Sequence, residues 1–235
     1  MGYPGGKGRI YSRIIGMMPP HDVYIETHLG GGAVLRNKRP AQTSFGIDID
    51  PAVIDRWPAA SIDGFTGVEG DAVAFLDAYR FTGRELVYCD PPYHPATRRR
   101  SRIYRFDYKV NDHERLLQTI VQLPCMVMIS GYANDLYSRV LTAWRRVDFP
   151  APTQAGLRTE SVWLNFDPPA ELHDYSHLGS DFRERELIRR RRRRMAERLG
   201  NMAAMERRAL IVELAAREGM VLAPPAPPAR RLLDA

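Results

Sequence analysis

Leu86-Val87-Tyr88-Cys89-Asp90-Pro91-Pro92-Tyr93 joins four apolar residues directly to an acidic, proline-stiffened, aromatic turn. The apolar half is short and does not alternate, the pattern of a strand buried on both faces. In a parallel sheet the residue after such a strand stands at the carboxyl edge, where open α/β sheets bind ligands. The prolines stiffen the backbone and fix the direction of two acceptors, the Asp90 carboxylate and the Pro91 carbonyl. The Tyr93 ring adds a flat face. Together they suit a planar, amine-bearing group: acceptors for its two N–H donors and an aromatic to stack on. A proline turn that caps a helix is the plainer alternative.

Similar short apolar runs lie on both sides. Val23–Ile25, Thr43–Ile47 and Met126–Ile129 read as strands, and a weaker one ends at Glu69-Gly70-Asp71. Helical patterns separate them. One opens at the glycine turn Gly30-Gly31-Gly32-Ala33-Val34-Leu35, one starts at Pro51, and others cover Ala72–Tyr79, Asp112–Leu123 and Asp135–Trp144. Leu116, Leu117, Ile120 and Leu123 form one stripe of the fourth. Arg146–Phe149 and Ser161–Phe166 read as late strands joined by a loop holding Pro150, Pro152 and Gly156. Continuous apolar strands alternating with helices predict a largely parallel α/β sheet covered on both faces.

Three strand ends carry carboxylates. Asp48 and Asp50 follow the second strand, about 20 residues after the glycine turn, where a ribose-binding carboxylate belongs. Asp71 ends the third strand and Asp90 the fourth. Glu26 to Val34, after the first strand, holds glycines that let a ligand approach the backbone and the next helix N-terminus. The dinucleotide fingerprint G-x-G-x-x-G is not matched there. Tyr3-Pro4-Gly5-Gly6-Lys7-Gly8 has neither the spacing nor the Ser/Thr of a nucleotide triphosphatase loop.

The 235 residues are 44% apolar and 26% charged, an ordinary globular composition with room for one large domain or a domain plus an appendage. No apolar run approaches a bilayer span, and Met1–Arg13 lacks the apolar core of a signal peptide. Two cysteines, Cys89 and Cys125, exclude a disulfide scaffold and fit a reducing cytoplasm. The net charge of +6 is unevenly placed. Arg183–Arg217 holds 12 Arg and 5 Glu, or +7; His94–Lys109 holds five Arg and Lys109 against Asp107, or +5; the remainder carries −6. Two basic islands on an acidic body suit a polyanion, most simply nucleic acid. Solvated helix surface is the alternative. The expected organisation is a domain over 1–170, a basic helical extension over 171–218 that turns near Gly200-Asn201, and a mobile tail over 219–235 with four prolines.

In their order and spacing these motifs resemble DNA adenine methyltransferases of the Dam type. The resemblance runs from Tyr3 to about Phe166. It includes YPGGK, YIETHLGGGAV, FGIDIDP, EGDA and YCDPPY, then TRRRSRIY, DHERLL, MISGYANDLYSRVL and TESVWLNF. It implies a Rossmann-like class I methyltransferase sheet, mostly parallel with one antiparallel strand. It also implies methyl transfer from S-adenosyl-L-methionine to the exocyclic nitrogen of adenine in double-stranded DNA, without a metal, in a bacterial or phage-infected cytoplasm. Carried over residue by residue, Asp90, Pro91, Pro92 and Tyr93 are catalytic. Tyr3, Lys7, Glu26, Gly30, Gly31, Gly32, Asp48, Asp71 and Asp90 border the cofactor. Arg98, Arg99, Arg100, Arg102 and Arg105, beside the catalytic motif, are expected on phosphates or in the gap left by the extruded base.

The chain departs from that pattern twice. The usual E-P-F of the glycine turn reads Glu26-Thr27-His28, and only 18 residues separate Asp71 from Asp90, too few for an inserted target-recognition domain. Base reading then falls to His94–Lys109, Pro150–Glu160 and the C-terminal helices, which predicts loose specificity. Pro124-Cys125 matches the nucleophile pair of cytosine carbon-5 enzymes, but it opens a buried strand and no Glu-Asn-Val partner exists, so a core cysteine is expected. The alternatives are the same chemistry on cytosine's exocyclic nitrogen or on RNA adenine, and a DNA-binding module without catalysis.

Overall fold

The computed structural model describes residues 7–8, 10–57, 62–98, 105–153 and 156–221. They form two compact units, Met1–Asp181 and Phe182–Ala235. The first is built on a seven-stranded sheet: β1 (Val23–Thr27), β2 (Thr43–Asp48), β3 (Phe65–Glu69), β4 (Glu85–Cys89), β5 (Met126–Gly131), β6 (Arg145–Thr153) and β7 (Gly156–Leu164), in spatial order β3-β2-β1-β4-β5-β7-β6. The first five strands run parallel, and β7 is the one antiparallel strand, paired with β5 on one side and β6 on the other. The strand order reverses between β1 and β4, which places a crevice beyond their carboxyl ends.

The continuous apolar strands are explained by two cores. Tyr24, Leu86, Tyr88 and Met128 enter one, with Ile14 and Ile15 of α1 (Tyr11–Ile15), Val34 and Leu35 of α2 (Ala33–Asn37), and Val53 of α3 (Pro51–Ile54). Their neighbours Ile25, Val87, Cys89, Val127 and Ile129 enter the other. There they meet Val73 and Leu76 of α4 (Ala72–Ala78), Leu116, Leu117 and Ile120 of α5 (Val110–Ile120), and Leu136 and Tyr137 of α6 (Asp135–Val140). Each fully buried aliphatic side chain stabilises the fold by about 1.5–3 kcal/mol, so neither face of the sheet tolerates a polar run.

Local chemistry sets the element starts. Asp50 caps α3 through Ala52 N at 3.1 Å, with Pro51 in the first turn, and Asp71 caps α4 through Ala74 N at 2.9 Å. Asn134 caps α6 through Tyr137 N at 3.1 Å. Helix α5 starts two residues before the predicted Asp112, whose carboxylate accepts from Lys109 N at 2.7 Å.

Two readings change. The predicted loop at Pro150, Pro152 and Gly156 is a β-hairpin, with both prolines inside β6 and Gly156 opening β7. Strand β6 is an edge, and positions 150 and 152 share one side of it, so their missing N–H groups face away from the ladder. The expected boundary after 170 also moves, because the first compact unit runs to Asp181. His173 N donates to Met18 O at 2.9 Å, His173 stacks on His21 at 3.8 Å, and Arg39 N donates to Asp174 at 2.9 Å.

The second unit holds α7 (Phe182–Gly200) and α8 (Ala204–Arg217), and the turn between them includes Asn201. Arg207 Nη1 donates to Gly200 O at 3.3 Å, closing the end of α7. Among the described residues of the two helices only Ala215 is buried. Most of the expected tail, from 222 onward, lies outside the described residues. No described helix is long and apolar enough to cross a membrane.

Candidate active site

The crevice at the strand reversal is open to solvent. Its lining includes Lys7, Glu26, His28, Gly30–Gly32, Asp48, Asp50, Asp71, Asp90–Tyr93, Arg105, Phe106 and Tyr108. Every predicted catalytic residue and every predicted cofactor-binding residue except Tyr3 therefore meets in one cavity. Tyr3 lies outside the described residues, as do Arg99, Arg100 and Arg102.

The glycine turn is held from two sides. Asp48 Oδ2 accepts from Gly30 N at 2.8 Å and its Oδ1 from Asp50 N at 2.9 Å, which locks the ends of β1 and β2 together. Gly32 has φ +55°, and a Cβ on it would sit 2.1 Å from the Trp57 ring, so both conformation and space demand glycine. Beneath the turn, Glu26 Oε2 accepts from Tyr24 Oη at 2.9 Å and from Leu35 N at 3.0 Å. Burial pushes the Glu26 carboxyl up to about 8. Its position in the lining comes with this anchoring of α2.

Asp90 is held by two side chains through one oxygen. Lys7 Nζ pairs with its Oδ1 at 2.5 Å, and Ser130 Oγ donates to the same oxygen at 2.9 Å. Lys7 also pairs with Glu160 Oε1 at 3.2 Å, and Tyr93 Oη donates to Glu160 Oε2 at 3.3 Å. Lys7 is 5%, Glu160 1% and Asp90 18% exposed, so two of the three charges are buried and the third borders the crevice. Burial alone would lower the Lys7 pKa, but Asp90 and Glu160 outweigh it and hold the ammonium well above its ordinary value. Burial raises Glu160, with Lys7 opposing. The ring of Tyr93 stacks on Tyr132 at 4.1 Å and 11°, and the Arg158 guanidinium lies 3.9 Å above Tyr132.

Sequence reasoning missed Ser130, Tyr132, Arg158 and Glu160. They come from β5, its outlet and β7. The one available signal was an acidic residue, Glu160, leading straight into the apolar run Val162-Trp163-Leu164.

His28 and Arg98 differ from a simple reading. His28 sits at φ +61°, with Nδ1 3.0 Å from Thr27 Oγ1 and Nε2 2.6 Å from Tyr108 Oη. Burial lowers its pKa to about 4. This residue fastens Tyr108, near the end of the basic segment, into the crevice. Arg98, expected on phosphates, is turned inward. Its side chain is 3% exposed, paired with Asp107 at 2.8 Å, and donates to the carbonyls of Tyr93 and of Tyr108, the latter at 3.1 Å. It pins the start of the segment to its end. Arg105 is 67% exposed, pairs with Asp50 at 3.2 Å and borders the crevice.

Cys125 lies at the opposite, amino-terminal edge of the sheet, next to Met126, where β5 begins. Burial raises its thiol, and that of Cys89, to about 12, so neither supplies a thiolate. Among the described residues no group of three His, Cys, Asp or Glu could hold a metal ion.

No family model matches the chain, and no curated protein matches it. Solved structures do. One is the 23S rRNA methyltransferase ErmE, at 14% identity over 81% of this chain and 87% of that one, with a TM-score of 0.47. Another is TrmK of M. capricolum bound to S-adenosyl-homocysteine, at 5% identity over 88% and 95%, TM-score 0.44. A third is a dimethyladenosine transferase from Plasmodium falciparum, at 16% over 76% and 66%, TM-score 0.42. Likenesses this distant carry no functional weight, and the chemistry of the crevice rests on its own residues.

Proposed function

We propose that the chain is a methyltransferase that moves a methyl group from S-adenosyl-L-methionine to the exocyclic amino nitrogen of adenine in double-stranded DNA. The observation that carries this reading is the convergence of Asp90-Pro91-Pro92-Tyr93, the Gly30–Gly32 turn, Asp48 and Asp71 in one crevice. The donor set fits the cofactor. Asp48 spends one acceptor site per oxygen on Gly30 and Asp50, and a carboxylate has about four, so acceptors remain for ribose hydroxyls. Bound there, S-adenosyl-L-methionine supplies an electrophilic methyl on a sulfonium.

The chain's own residues position the nucleophile. Adenine's amino nitrogen is weakly nucleophilic because its lone pair is shared with the ring. Hydrogen bonds accepted by Asp90 and the Pro91 carbonyl favour a tetrahedral nitrogen whose lone pair points at the methyl. Lys7 and Ser130 both take Oδ1 of Asp90, which fixes the carboxylate and presents Oδ2 to the amine. Tyr93, itself backed by Tyr132, stacks on the base once it has left the duplex. Positioning of this kind supplies much of the acceleration. With no inserted recognition domain, a context of at most two or three flanking bases is expected.

The test is transfer of labelled methyl from S-adenosyl-L-methionine to duplex DNA, with digestion to nucleosides. N6-methyladenosine in its deoxy form is the expected product. N4-methyldeoxycytidine supports the cytosine alternative, and methylation of RNA alone supports the RNA one. Cofactor binding without transfer to any nucleic acid overturns the enzymatic reading.

A further inference from the structure

Helix α7 carries nine arginines, at 183, 185, 189–194 and 198, against Glu184, Glu186 and Glu197. Successive helical residues turn by about 100°, so these arginines sweep about 260° of the circumference. Ile188, Met195 and Leu199 fill the remaining stripe. No residue of the helix is buried. Its ion pairs include half-buried Glu186 with exposed Arg189 and Arg190, and exposed Glu197 with Arg193 at 3.7 Å. Such pairs are worth about 0–1 kcal/mol and yield readily to a stronger anion.

The angular spread selects the partner. A helix resting on a flat anionic surface needs one basic face. A helix charged around most of its girth is satisfied only where anions stand on both sides. The major groove of B-form DNA is about 12 Å wide, takes a helix of about 10–12 Å diameter, and is walled by phosphates left and right. The major groove of duplex RNA is too deep and narrow for side chains to read. A single strand offers one file of phosphates.

We propose that α7 seats in the major groove of double-stranded DNA as a sequence-independent grip. The helix is about 28 Å long. It contains no Asn or Gln, the side chains that pair with adenine, and its arginines serve phosphates as well as guanine edges. Phosphates on both walls also relieve the mutual repulsion of Arg189–Arg194, which costs the free helix at each i, i+4 pair. The proposal rests on the reading of this chain as a DNA-modifying enzyme, and it names what that enzyme holds.

The experiment measures anisotropy of a labelled 20-base-pair DNA duplex with the full chain and no cofactor. The comparison variant is Arg190→Gln/Arg191→Gln/Arg193→Gln/Arg194→Gln. Losing four phosphate contacts should flatten the slope of log affinity against log salt by about 3.6, at about 0.9 per contact. Duplex RNA of the same sequence, and DNA whose major groove is filled by glucosylated 5-hydroxymethylcytosine, should each bind at least tenfold more weakly than plain DNA. A minor-groove ligand such as netropsin should not compete. An unchanged salt slope, equal affinity for duplex RNA, equal affinity for the filled groove, tighter binding to polyglutamate than to DNA, or competition by netropsin overturns the proposal. Methyl transfer to a short single-stranded deoxyoligonucleotide, followed in parallel, reads the catalytic unit separately. If neither protein transfers methyl to this oligonucleotide, to duplex DNA or to RNA, the enzymatic reading fails, whatever α7 binds.

Discussion

Replacing Lys7 by methionine removes a buried cation that pairs with buried Glu160 and with partly exposed Asp90. Asp90 and Glu160 each lie within 3.2 Å of Lys7 Nζ, so their carboxylate oxygens are at most about 6 Å apart. At an effective dielectric near 20, two anions at that separation repel by about 3 kcal/mol. Breaking a buried pair costs about 3–5 kcal/mol in general, because the remaining charge is uncompensated. Lys7→Met should therefore lose about 3–5 kcal/mol in urea denaturation at pH 7.5. Adding Glu160→Gln removes one anion at nearly constant shape and should restore about 3 kcal/mol, a coupling that independent sites would not show. The pH dependence has a definite sign. In Lys7→Met one carboxyl is driven above its unfolded pKa, so its share of stability is present at low pH and lost as pH rises. The deficit of the variant should shrink between pH 7.5 and pH 5. A loss under 1 kcal/mol at pH 7.5, or a double variant no more stable than Lys7→Met, would refute the account of this cluster.

Other substitutions separate the roles of the crevice residues. Asp90→Ala should abolish methyl transfer while cofactor affinity stays within about threefold by equilibrium dialysis, whereas Asp48→Ala should weaken cofactor binding tenfold or more. Near-normal turnover in the first would sink the catalytic assignment. Gly32→Ala forces a Cβ into the Trp57 ring in a left-handed conformation and should cost at least 2 kcal/mol by thermal melting. A melt unchanged within 1 °C would contradict it. His113 is fully buried, its Nδ1 3.0 Å from Tyr137 Oη, and burial, with His94, His28 and Arg98, lowers its pKa to about 3. Its contribution is present above the unfolded value of about 6.5 and is lost as pH falls toward 3. At pH 5 that loss is about 2 kcal/mol, so His113→Gln should lose about 2 kcal/mol less than the parent chain between pH 7.5 and 5.0. Equal losses would place the titration elsewhere.

Much of the frame was legible because two-sided burial writes itself locally. Val23–Ile25, Leu86–Cys89 and Met126–Ile129 are apolar without alternation, and the structure places them side by side in the sheet centre. Asp48, Asp71 and Asp90 were legible as candidates because strand order and the carboxyl edge bring them together without any knowledge of side-chain contacts. What stayed hidden is non-local. Glu160 reaches Lys7 across 153 residues of chain, and nothing near either residue marks the pairing. Arg98 was expected at the nucleic acid because it sits in a basic run, yet Asp107, nine residues on, draws it inward. The proline-bearing hairpin read as a loop because proline is penalised in strands in general, and only the edge position removes the penalty. Short α1 has too few residues to show a period.

The same two prolines give the outer rim of the sheet a one-sided character. Strand β6 spans nine residues, long enough to template a further strand from another molecule. At positions 150 and 152 that rim can accept hydrogen bonds but has none to donate. An incoming strand would leave two of its own carbonyls unanswered at alternate positions, each worth about 1 kcal/mol as a forgone bond and more if buried. The edge is thereby closed to fibre-like growth without a covering helix, which leaves the hairpin free to stay exposed in solution.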